Sequence, residues 1–377
     1  MSSFKRLDLY ALGLAIFSMF FGAGNIIFPL ALGKHALDQT PYAIAGLLLT
    51  AVAIPFCGLL AMFLYEGNIK AFFGRLGRIP GLLLAFAIIA LLGPLGSTPR
   101  CIALAYSTFQ LSFPGISSTV FSAISCVIIF FLAYKKNRLL DILGYILTPL
   151  LVALLAAIVF LGILNAPSEN QAWQAGGLEL FWHGLKEGYN TMDLLAAFFF
   201  APVIIAFMQK KTASFSSASE RLGFILKASG IGALLLSVVY IGFSCIAASY
   251  ADYLDSLPSD QLLAALAFKI LGPQAGLIVC LTVVLACLTT AIALIAAFAD
   301  FMQKEILKEK VSYPLVLLGS LILTFNIAIF EFQGISQFLG PILEIFYPAL
   351  IGLTAINFGQ SVYQLYSSKS NLQFKAE

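Results

Sequence analysis

Long runs of apolar residues dominate the sequence and restrict the chain to a membrane. A helix that crosses the hydrocarbon core needs about 20 mostly apolar residues, and ten stretches of this 377-residue chain approach or exceed that length. We predict spans at 8–33, 41–65, 80–109, 117–134, 141–164, 187–209, 223–250, 274–302, 313–331 and 338–366. The expected fold class is therefore an all-α integral membrane protein with ten transmembrane helices.

The composition excludes several classes of protein. Hydrophobic residues make up 60% of the chain and charged residues only 10%, whereas a soluble domain carries about 25% charged residues. Soluble enzymes, nucleic-acid-binding proteins and disordered chains are excluded on that ground. The net charge of +3 is too small to imply a polyanionic partner. The lipid bilayer is the expected surrounding, and no obligate protein partner is indicated.

The distribution of basic residues predicts the orientation. When the N-terminus is placed in the cytoplasm, only Lys34, Lys186 and Lys269 of the 21 Lys and Arg fall on the outer side, and Arg100 falls inside a span. The positive-inside rule requires this asymmetry. We therefore predict a multi-pass protein of the cell (inner) membrane with both termini cytoplasmic, an outer loop at 165–186 and a short cytoplasmic tail at 367–377.

The first predicted span contains residues that disfavour a continuous helix. Gly22, Ala23, Gly24 and Asn25 lie near its middle, and Pro29 follows four residues later. Glycine and asparagine have low helix propensity, and irregular backbone inside a bilayer survives only where it is buried or lines a cavity. Close helix packing by small residues is the alternative explanation. The run favours an unwound segment in the middle of span one.

The sixth predicted span carries a similar interruption. It opens with residues 188–193 and reaches Pro202 nine residues after Asp193. A carboxylate at the bilayer centre costs about 2.5–3.5 kcal/mol on insertion scales. Asp193 is therefore either a residue near the outer surface that stays wet, or a ligand for a cation or an ammonium group beside a helix break.

Breaks in spans one and six predict an inverted repeat. Five spans are an odd number, so span six enters the membrane from the opposite side to span one. We expect a single transmembrane domain, 1–366, built of one repeat at about 8–164 and a second at about 187–366, with helices 1 and 6 discontinuous. Broken helices at corresponding places in two halves are a sequence-level sign of a transport site.

Broken helices supply binding groups for a zwitterion. Amides at a half-helix N-terminus suit a carboxylate, and freed carbonyls at a half-helix C-terminus suit Na⁺ or an ammonium group. An amino acid presents both charges, and apolar neighbours such as Phe198, Phe199 and Ile292 would sort its side chain by shape. Thr289 and Thr290 in span eight offer hard oxygen ligands for an alkali cation. Hydrogen bonding of these hydroxyls to their own helix is the alternative.

Three further residues have open roles. Arg100 lies in span three, where a guanidinium needs a carboxylate or carbonyl partner, and it acts either as a gate or as a structural link. Glu344 in span ten is interpreted as snorkelling, as a partner of Arg100, or as a proton-coupling group. The hydroxyl of Tyr106 either caps a substrate carboxylate or satisfies a backbone group.

Several motifs resemble those of one known transporter family. They are Phe20-Phe21-Gly22-Ala23-Gly24-Asn25-Ile26-Ile27-Phe28-Pro29, Gly188-Tyr189-Asn190-Thr191-Met192-Asp193, Cys287-Leu288-Thr289-Thr290-Ala291, and Gly93-Pro94 with Pro99-Arg100. Together they resemble the branched-chain amino acid:cation symporters (LIVCS) of the amino acid–polyamine–organocation superfamily. Members of that family usually run to about twelve spans, and at Pro202 a small residue or glycine is expected instead.

The resemblance implies a fold and a set of site residues. The fold is the five-plus-five inverted repeat of the bacterial leucine transporter type. The implied substrate contacts lie at the first break, in span three and in span six. They are Gly22, Ala23, Gly24, Asn25, Tyr106, Asp193 and Phe198. The amides of Ala23 and Gly24 would hold the substrate carboxylate. The implied Na⁺ ligands are the carbonyls of Ser18, Phe21 and Ala286 and the hydroxyls of Thr289 and Thr290.

The expected function is Na⁺-coupled uptake of leucine, isoleucine and valine by alternating access. The alternative is an H⁺-coupled transporter of these or other apolar amino acids such as methionine, with Asp193 or Glu344 titrating. A membrane enzyme would need titratable residues clustered at one depth, but the three intramembrane charges lie on three helices. A channel would show rings of polar residues. We therefore expect a transporter and not an enzyme.

Overall fold

The architecture is entirely helical. The structure, a computed structural model, describes residues 3–134, 139–167, 176–211 and 218–373, and the all-α prediction is confirmed for them. Nine α-helices lie in the first part: α1 (Ser3–Phe20), α2 (Ala23–Ala36), α3 (Thr40–Leu48), α4 (Ile54–Leu64), α5 (Ile69–Phe73), α6 (Arg78–Leu92), α7 (Ser97–Ser112), α8 (Ser118–Tyr134) and α9 (Leu139–Leu164). Seven follow: α10 (Gly177–Asn190), α11 (Asp193–Lys211), α12 (Ala218–Ser249), α13 (Ala251–Leu254), α14 (Leu262–Phe301), α15 (Tyr313–Ala328) and α16 (Glu331–Gln373).

The helices are long and apolar enough for a multi-pass membrane protein. Six stretches of the described chain meet the length and hydropathy of a membrane span: Ala23–Leu64, Arg78–Ser112, Gly177–Ala206, Glu220–Ser249, Ser259–Ile306 and Glu331–Ser361. Shorter apolar helices occupy Asp8–Phe20, Ser118–Tyr134, Pro149–Leu164 and Tyr313–Ala328. Large apolar side chains such as Phe131 and Phe160 are exposed on their outer faces, as contact with lipid requires.

The sixth predicted span and the outer loop before it need correction. The helix begins at Gly177 and not at 187, so residues 177–186 of the predicted loop are helical; residues 168–175 lie outside the described part of the chain. Charged side chains lower the mean hydropathy of residues 177–186, so the apolar runs did not indicate this part of the helix. Lys186 pairs with Glu344 at 3.2 Å, and His183 lies 3.8 Å from Glu187.

Three further differences from the predicted spans concern the helix boundaries. The predicted span 80–109 is divided, because α6 ends at Leu92 and α7 begins at Ser97 after the turn 93–96. The helix α14 starts at Leu262, ahead of the predicted span 274–302, but Gly272 has non-helical backbone angles (φ +81°) and marks a kink directly before the predicted start. The helix α16 runs on to Gln373 through most of the predicted tail, and residues 374–377 lie outside the described residues.

The packing of the helices places two chain junctions at the centre. The helix α12 packs along both α1 and α2, while α10 packs on α3 and α11 packs on α4. On the other side, α14 packs against α7 and α9, and α15 packs on α8. Both the α1–α2 junction and the α10–α11 junction are enclosed by these neighbours, and the candidate site lies there.

Candidate functional site

The first junction joins α1 to α2 through two non-helical residues. The helix α1 ends at Phe20, Phe21 and Gly22 make the connection, and α2 begins at Ala23. The Gly22 N–H donates to Oδ1 of Asn25 over 2.9 Å. The amides of the first helical turn have no partner within their own helix. The N-terminus of α2 therefore presents backbone donors and its positive dipole end to the molecular interior.

The second junction lies directly against the first. The helix α10 ends at Asn190 and α11 begins at Asp193, with Met192 between them in the left-handed region (φ +64°). A Cβ placed on Gly24 would lie 3.2 Å from Cα of Thr191 and 3.3 Å from its carbonyl oxygen. A larger residue would require Thr191 to shift by a few tenths of an ångström, so the glycine favours this close approach of α2 to the second junction.

We expect Gly24→Ala to lower transport about tenfold, because a new Cβ would move the start of α2 away from Thr191. A misplacement of about 1 Å can cost about 100-fold in activity, and the smaller shift expected here should cost less. Uptake of leucine, the substrate expected from the sequence, into proteoliposomes checks this. The matched control is Gly230→Ala in α12, where an added Cβ meets no atom within 4 Å. Equal uptake by the two variants would contradict the proposed tight contact.

A buried hydrogen-bonded group ties three helices together beside the junctions. The Nδ2 of Asn25 lies 2.9 and 2.8 Å from Oδ1 and Oδ2 of Asp193, and it also contacts the hydroxyl of Tyr240. That hydroxyl donates to Oδ2 of Asp193 over 3.0 Å. Asn25 and Asp193 are each 1% exposed and Tyr240 is fully buried. The carboxyl group of Asp193 thus links α2, α11 and α12.

The third junction positions a buried guanidinium. Arg100 lies in the first turn of α7, just after the turn 93–96, and is 2% exposed. Its Nη1 donates to the carbonyl of Asn190 over 2.9 Å. Its Cζ lies 5.3 Å from the ring centre of Phe28 and 5.7 Å from that of Phe332. The side chain therefore packs beside this pair of rings and is tied to the end of α10.

These three junctions surround one small cavity. Its volume is about 40 Å³, counted as the space open to the centres of water molecules, which holds about three waters. Polar or small residues on its wall are Gly22, Ala23, Gly24, Asn25, Ser97, Arg100, Cys101, Asn190, Thr191, Asp193 and Thr290. Apolar side chains complete the wall: Met19, Phe20, Leu92, Met192, Ala196, Phe200 and Leu294. The cavity thus brings the buried carboxyl group of Asp193 and the buried guanidinium of Arg100 together among apolar groups.

The proposed cation ligands lie on α1, the first junction and α14. Cγ2 of Thr290 lies 3.8 Å from the position of a Cβ on Gly22, which brings α14 against the first junction. The Thr289 hydroxyl donates to the Ala286 carbonyl of its own helix over 2.9 Å, which is the alternative expected from the sequence; a hydroxyl that donates still keeps lone pairs for a cation. Ser18 lies in the last turn of α1 and Phe21 in the junction itself.

Two residues expected at the site lie elsewhere. The Tyr106 hydroxyl donates to the Ile116 carbonyl over 3.2 Å, which is the backbone-satisfying alternative, and its ring packs on Phe121. Phe198 is fully buried against Phe72 and Phe73, with ring centres 5.2 Å away in each case. Neither side chain lines the cavity.

The structure excludes one of the alternatives for Glu344 and reveals residues that sequence reasoning missed. Glu344 is half-exposed and pairs with Lys186, so it is not the partner of Arg100. Phe200 takes the place at the cavity that was expected for Phe198. Tyr240 was missed because a lone tyrosine in an apolar helix gives no positional signal. The turn 93–96 was signalled by two glycines and a proline within an apolar run.

Comparison with known proteins relates nearly the whole chain to transporters. A family model described as "Branched-chain amino acid transport protein" matches residues 5–374. The branched-chain amino acid permease BrnQ of Bacillus subtilis (strain 168) is 30% identical over 370 residues, covering 94% of this chain and 81% of the permease. BrnQ of Corynebacterium glutamicum is 32% identical over 356 residues, covering 91% and 79% of the two chains.

Other matches agree with these. The branched-chain amino acid transport system 2 carrier protein of Pseudomonas aeruginosa is 30% identical over 370 residues, covering 95% of this chain and 82% of the carrier. Among solved structures, the inward-facing conformation of Mhp1 has a TM-score of 0.64 at 14% identity, covering 92% of this chain and 75% of Mhp1. A Na⁺-coupled sialic acid symporter has a TM-score of 0.60 at 12% identity, covering 93% and 78%. These structures share the fold.

Proposed function

The chain belongs to the branched-chain amino acid transport protein family, and from that premise we propose that it carries leucine, isoleucine and valine into the cell by Na⁺-coupled symport. Its relatives are permeases and carrier proteins, so the prediction that it is not an enzyme is confirmed. The mechanism we propose is alternating access across the inner cell membrane, with both termini in the cytoplasm.

One observation carries the proposed substrate class. A buried carboxyl group, Asp193, and a buried guanidinium, Arg100, line the same apolar cavity. Isolated charges are expensive at membrane depth and mark substrate or ion pathways. A zwitterionic amino acid with an apolar side chain has the complementary charges and the complementary apolar surface. This match favours an amino acid over a sugar, a nucleobase or a purely cationic substrate.

We assign the substrate contacts to the cavity wall. The amides of Ala23 and Gly24, at the start of α2, are placed to receive the carboxylate, and Asp193, oriented by Asn25, to receive the ammonium group. The apolar side chain then packs on Phe200 and its neighbours. The cavity holds only about three waters, so the substrate enters a form of the protein in which the surrounding helices have moved apart.

The coupling ion is proposed to bind between α1, the first junction and α14. Its ligands would be the carbonyls of Ser18, Phe21 and Ala286 and the hydroxyls of Thr289 and Thr290. These are neutral oxygen donors, which hard cations prefer. A Na⁺ ion there would hold α14 against the junction that starts α2 and so organise the amides that receive the substrate. Loss of Na⁺ to a low-sodium cytoplasm would release both.

The fold that we propose specifies more than the positions of the helices. We propose ten membrane spans, in which α1 with α2 forms span one and α10 with α11 forms span six, each interrupted at its junction. The two repeats, at about 8–164 and 187–366, would form one domain, 1–366, of the bacterial leucine transporter type. The 0.64 TM-score to inward-facing Mhp1 supports this arrangement. The fold neighbours include Na⁺-coupled proteins, which supports cation coupling.

The test is uptake of radiolabelled leucine into proteoliposomes under an imposed Na⁺ gradient or an imposed pH gradient. We expect Na⁺-driven uptake in the wild type and at least a tenfold loss in the double variant Thr289→Val and Thr290→Val, because valine keeps the shape and removes the hydroxyl ligand. Thr282→Val is the matched control on α14, because its hydroxyl, like that of Thr289, donates to its own helix, at the Ile278 carbonyl, but it does not line the cavity and is not a proposed ligand.

The outcomes separate the two coupling mechanisms. Uptake driven by the pH gradient alone, and unchanged in the double variant, would favour the H⁺-coupled alternative with Asp193 as the titrating group. Methionine is included as a second labelled substrate in every arm. Transport of methionine without leucine would overturn the substrate assignment and leave the transporter fold intact.

A further inference from the structure

Arg100 lines the cavity and carries two buried donor nitrogens that have no partner among the described residues. These are Nε and Nη2, which form the free edge of its guanidinium. Leaving a charged donor unsatisfied in a buried place is costly, more so than for a neutral group. Because the side chain lines the cavity at the two junctions, an acceptor that is not part of the protein is the natural partner.

The rest of the guanidinium is already committed, so its orientation is fixed. Nη1 donates to the Asn190 carbonyl, and the guanidinium lies beside the adjacent rings of Phe28 and Phe332, which contact each other. A cation close to aromatic faces is stabilised by their electron density. The free edge is therefore held in one direction before any ligand arrives, which lowers the entropic cost of binding.

The free edge has the geometry of a carboxylate receptor. Nε–H and the outer Nη2–H lie on the same side of the guanidinium and run parallel, which matches the two oxygens of a carboxylate in a bidentate pair. Neither neighbouring acid is hydrogen-bonded to Nε or Nη2. Asp193 faces Asn25 and Tyr240, and Glu187 accepts from the Asn190 side chain.

We propose that Nε and Nη2 of Arg100 bind the carboxylate of the transported amino acid in a bidentate pair, a role that rests on the proposed amino acid transport. The amides at the start of α2 then contact the same two oxygens, since a carboxylate has about four lone-pair sites. Arg100 thereby selects for the carboxylate, while Asp193 at the same cavity receives the ammonium group.

A consequence for selectivity follows. Ligands with the same side chain and amine but no carboxylate leave the guanidinium edge unpaired in a dry site. Sites built around a specific hydrogen bond reject analogues that lack it strongly. We expect the wild type to prefer L-leucine over L-leucinol, which has a CH₂OH group in place of the carboxylate, by about 100-fold or more.

The experiment measures ligand-induced thermal stabilisation of the purified full chain in detergent, titrated with leucine and with leucinol. In Arg100→Gln we expect leucine affinity to fall about 100-fold and the preference for leucine over leucinol to fall below about fivefold. Arg100→Lys keeps the positive charge but lacks the two parallel N–H donors, so it should retain an intermediate preference for leucine over leucinol. Arg75→Gln is the control, because that guanidinium donates to Asn357 outside the cavity, and its preference should equal that of the wild type.

The outcomes separate this inference from the proposed function. An unchanged ratio of leucine to leucinol affinity in Arg100→Gln and Arg100→Lys would overturn the carboxylate role and leave branched-chain transport standing. If Arg100→Gln does not fold, Arg100→Lys and the wild-type ratio decide. A wild type stabilised only by other L-amino acids, over their amino alcohols, would keep the role of Arg100 and overturn the substrate assignment. Stabilisation by no L-amino acid would overturn both.

Discussion

Replacing Asp193 by asparagine is expected to lower leucine uptake about 100-fold while the protein stays folded. The carboxyl group is 1% exposed and contacts both Asn25 and Tyr240. Asparagine has nearly the same shape, and its Oδ1 can still accept from Asn25 while its amide donates to the Tyr240 hydroxyl. The network therefore survives in part, but the negative charge proposed to receive the substrate ammonium group is lost. Truncating a buried charge pair costs about 2–5 kcal/mol.

Two measurements on the same preparations separate binding from folding. Uptake into proteoliposomes reports transport, and thermal unfolding in detergent reports stability, which we expect to change by only a few degrees. Asp260→Asn is the matched control: that carboxyl group is also buried and accepts from the Ser107 hydroxyl, but it lies outside the cavity. Near wild-type uptake by Asp193→Asn would show that the carboxyl group links helices and takes no part in binding.

Some features of the site were readable from the sequence because they break a strong pattern. A carboxyl group or a Gly-Ala-Gly-Asn run stands out within twenty apolar residues, and the bilayer tolerates such residues only where they are buried in protein. Asn25 and Asp193 were therefore singled out before their contact was known, and the all-helical, multi-pass architecture followed from the length of the apolar runs.

Other features had no such signal. Phe198, Phe199 and Phe200 are consecutive, and a helix that is apolar all round gives no period that tells which face is turned inward. The cavity is lined by Phe200, whereas Phe198 packs on two aromatic residues of α5, Phe72 and Phe73. The partner of Asp193 on α12 was equally hidden, since the contact with Tyr240 depends on the packing of two helices 47 residues apart in sequence.

Replacing Gly184 by valine is expected to abolish the folded protein. The helices α3 and α10 pack with their backbones in contact, since a Cβ on Gly184 would collide with the carbonyl of Ala43; one on Gly188 would collide with the side-chain hydroxyl of Thr50, just beyond α3. Glycines four residues apart share one helix face, and this spacing permits close helix association in membranes. Overpacking costs about 1–3 kcal/mol where side chains can move. Here the obstacle is backbone, so the cost should lie above that range.

The interface matters for the site because α10 carries the Asn190 carbonyl that fixes Arg100. Separating α10 from α3 would move both the second junction and the guanidinium. Size-exclusion chromatography of a fluorescent fusion measures folded yield, which we expect to fall below about a tenth of the wild type. Gly319→Val in α15 is the control, because an added Cβ there meets no atom within 4 Å, so only the small helix-propensity change remains. If both variants gave the same yield and melting temperature, the backbone contact between α3 and α10 would not be what holds α10 in place.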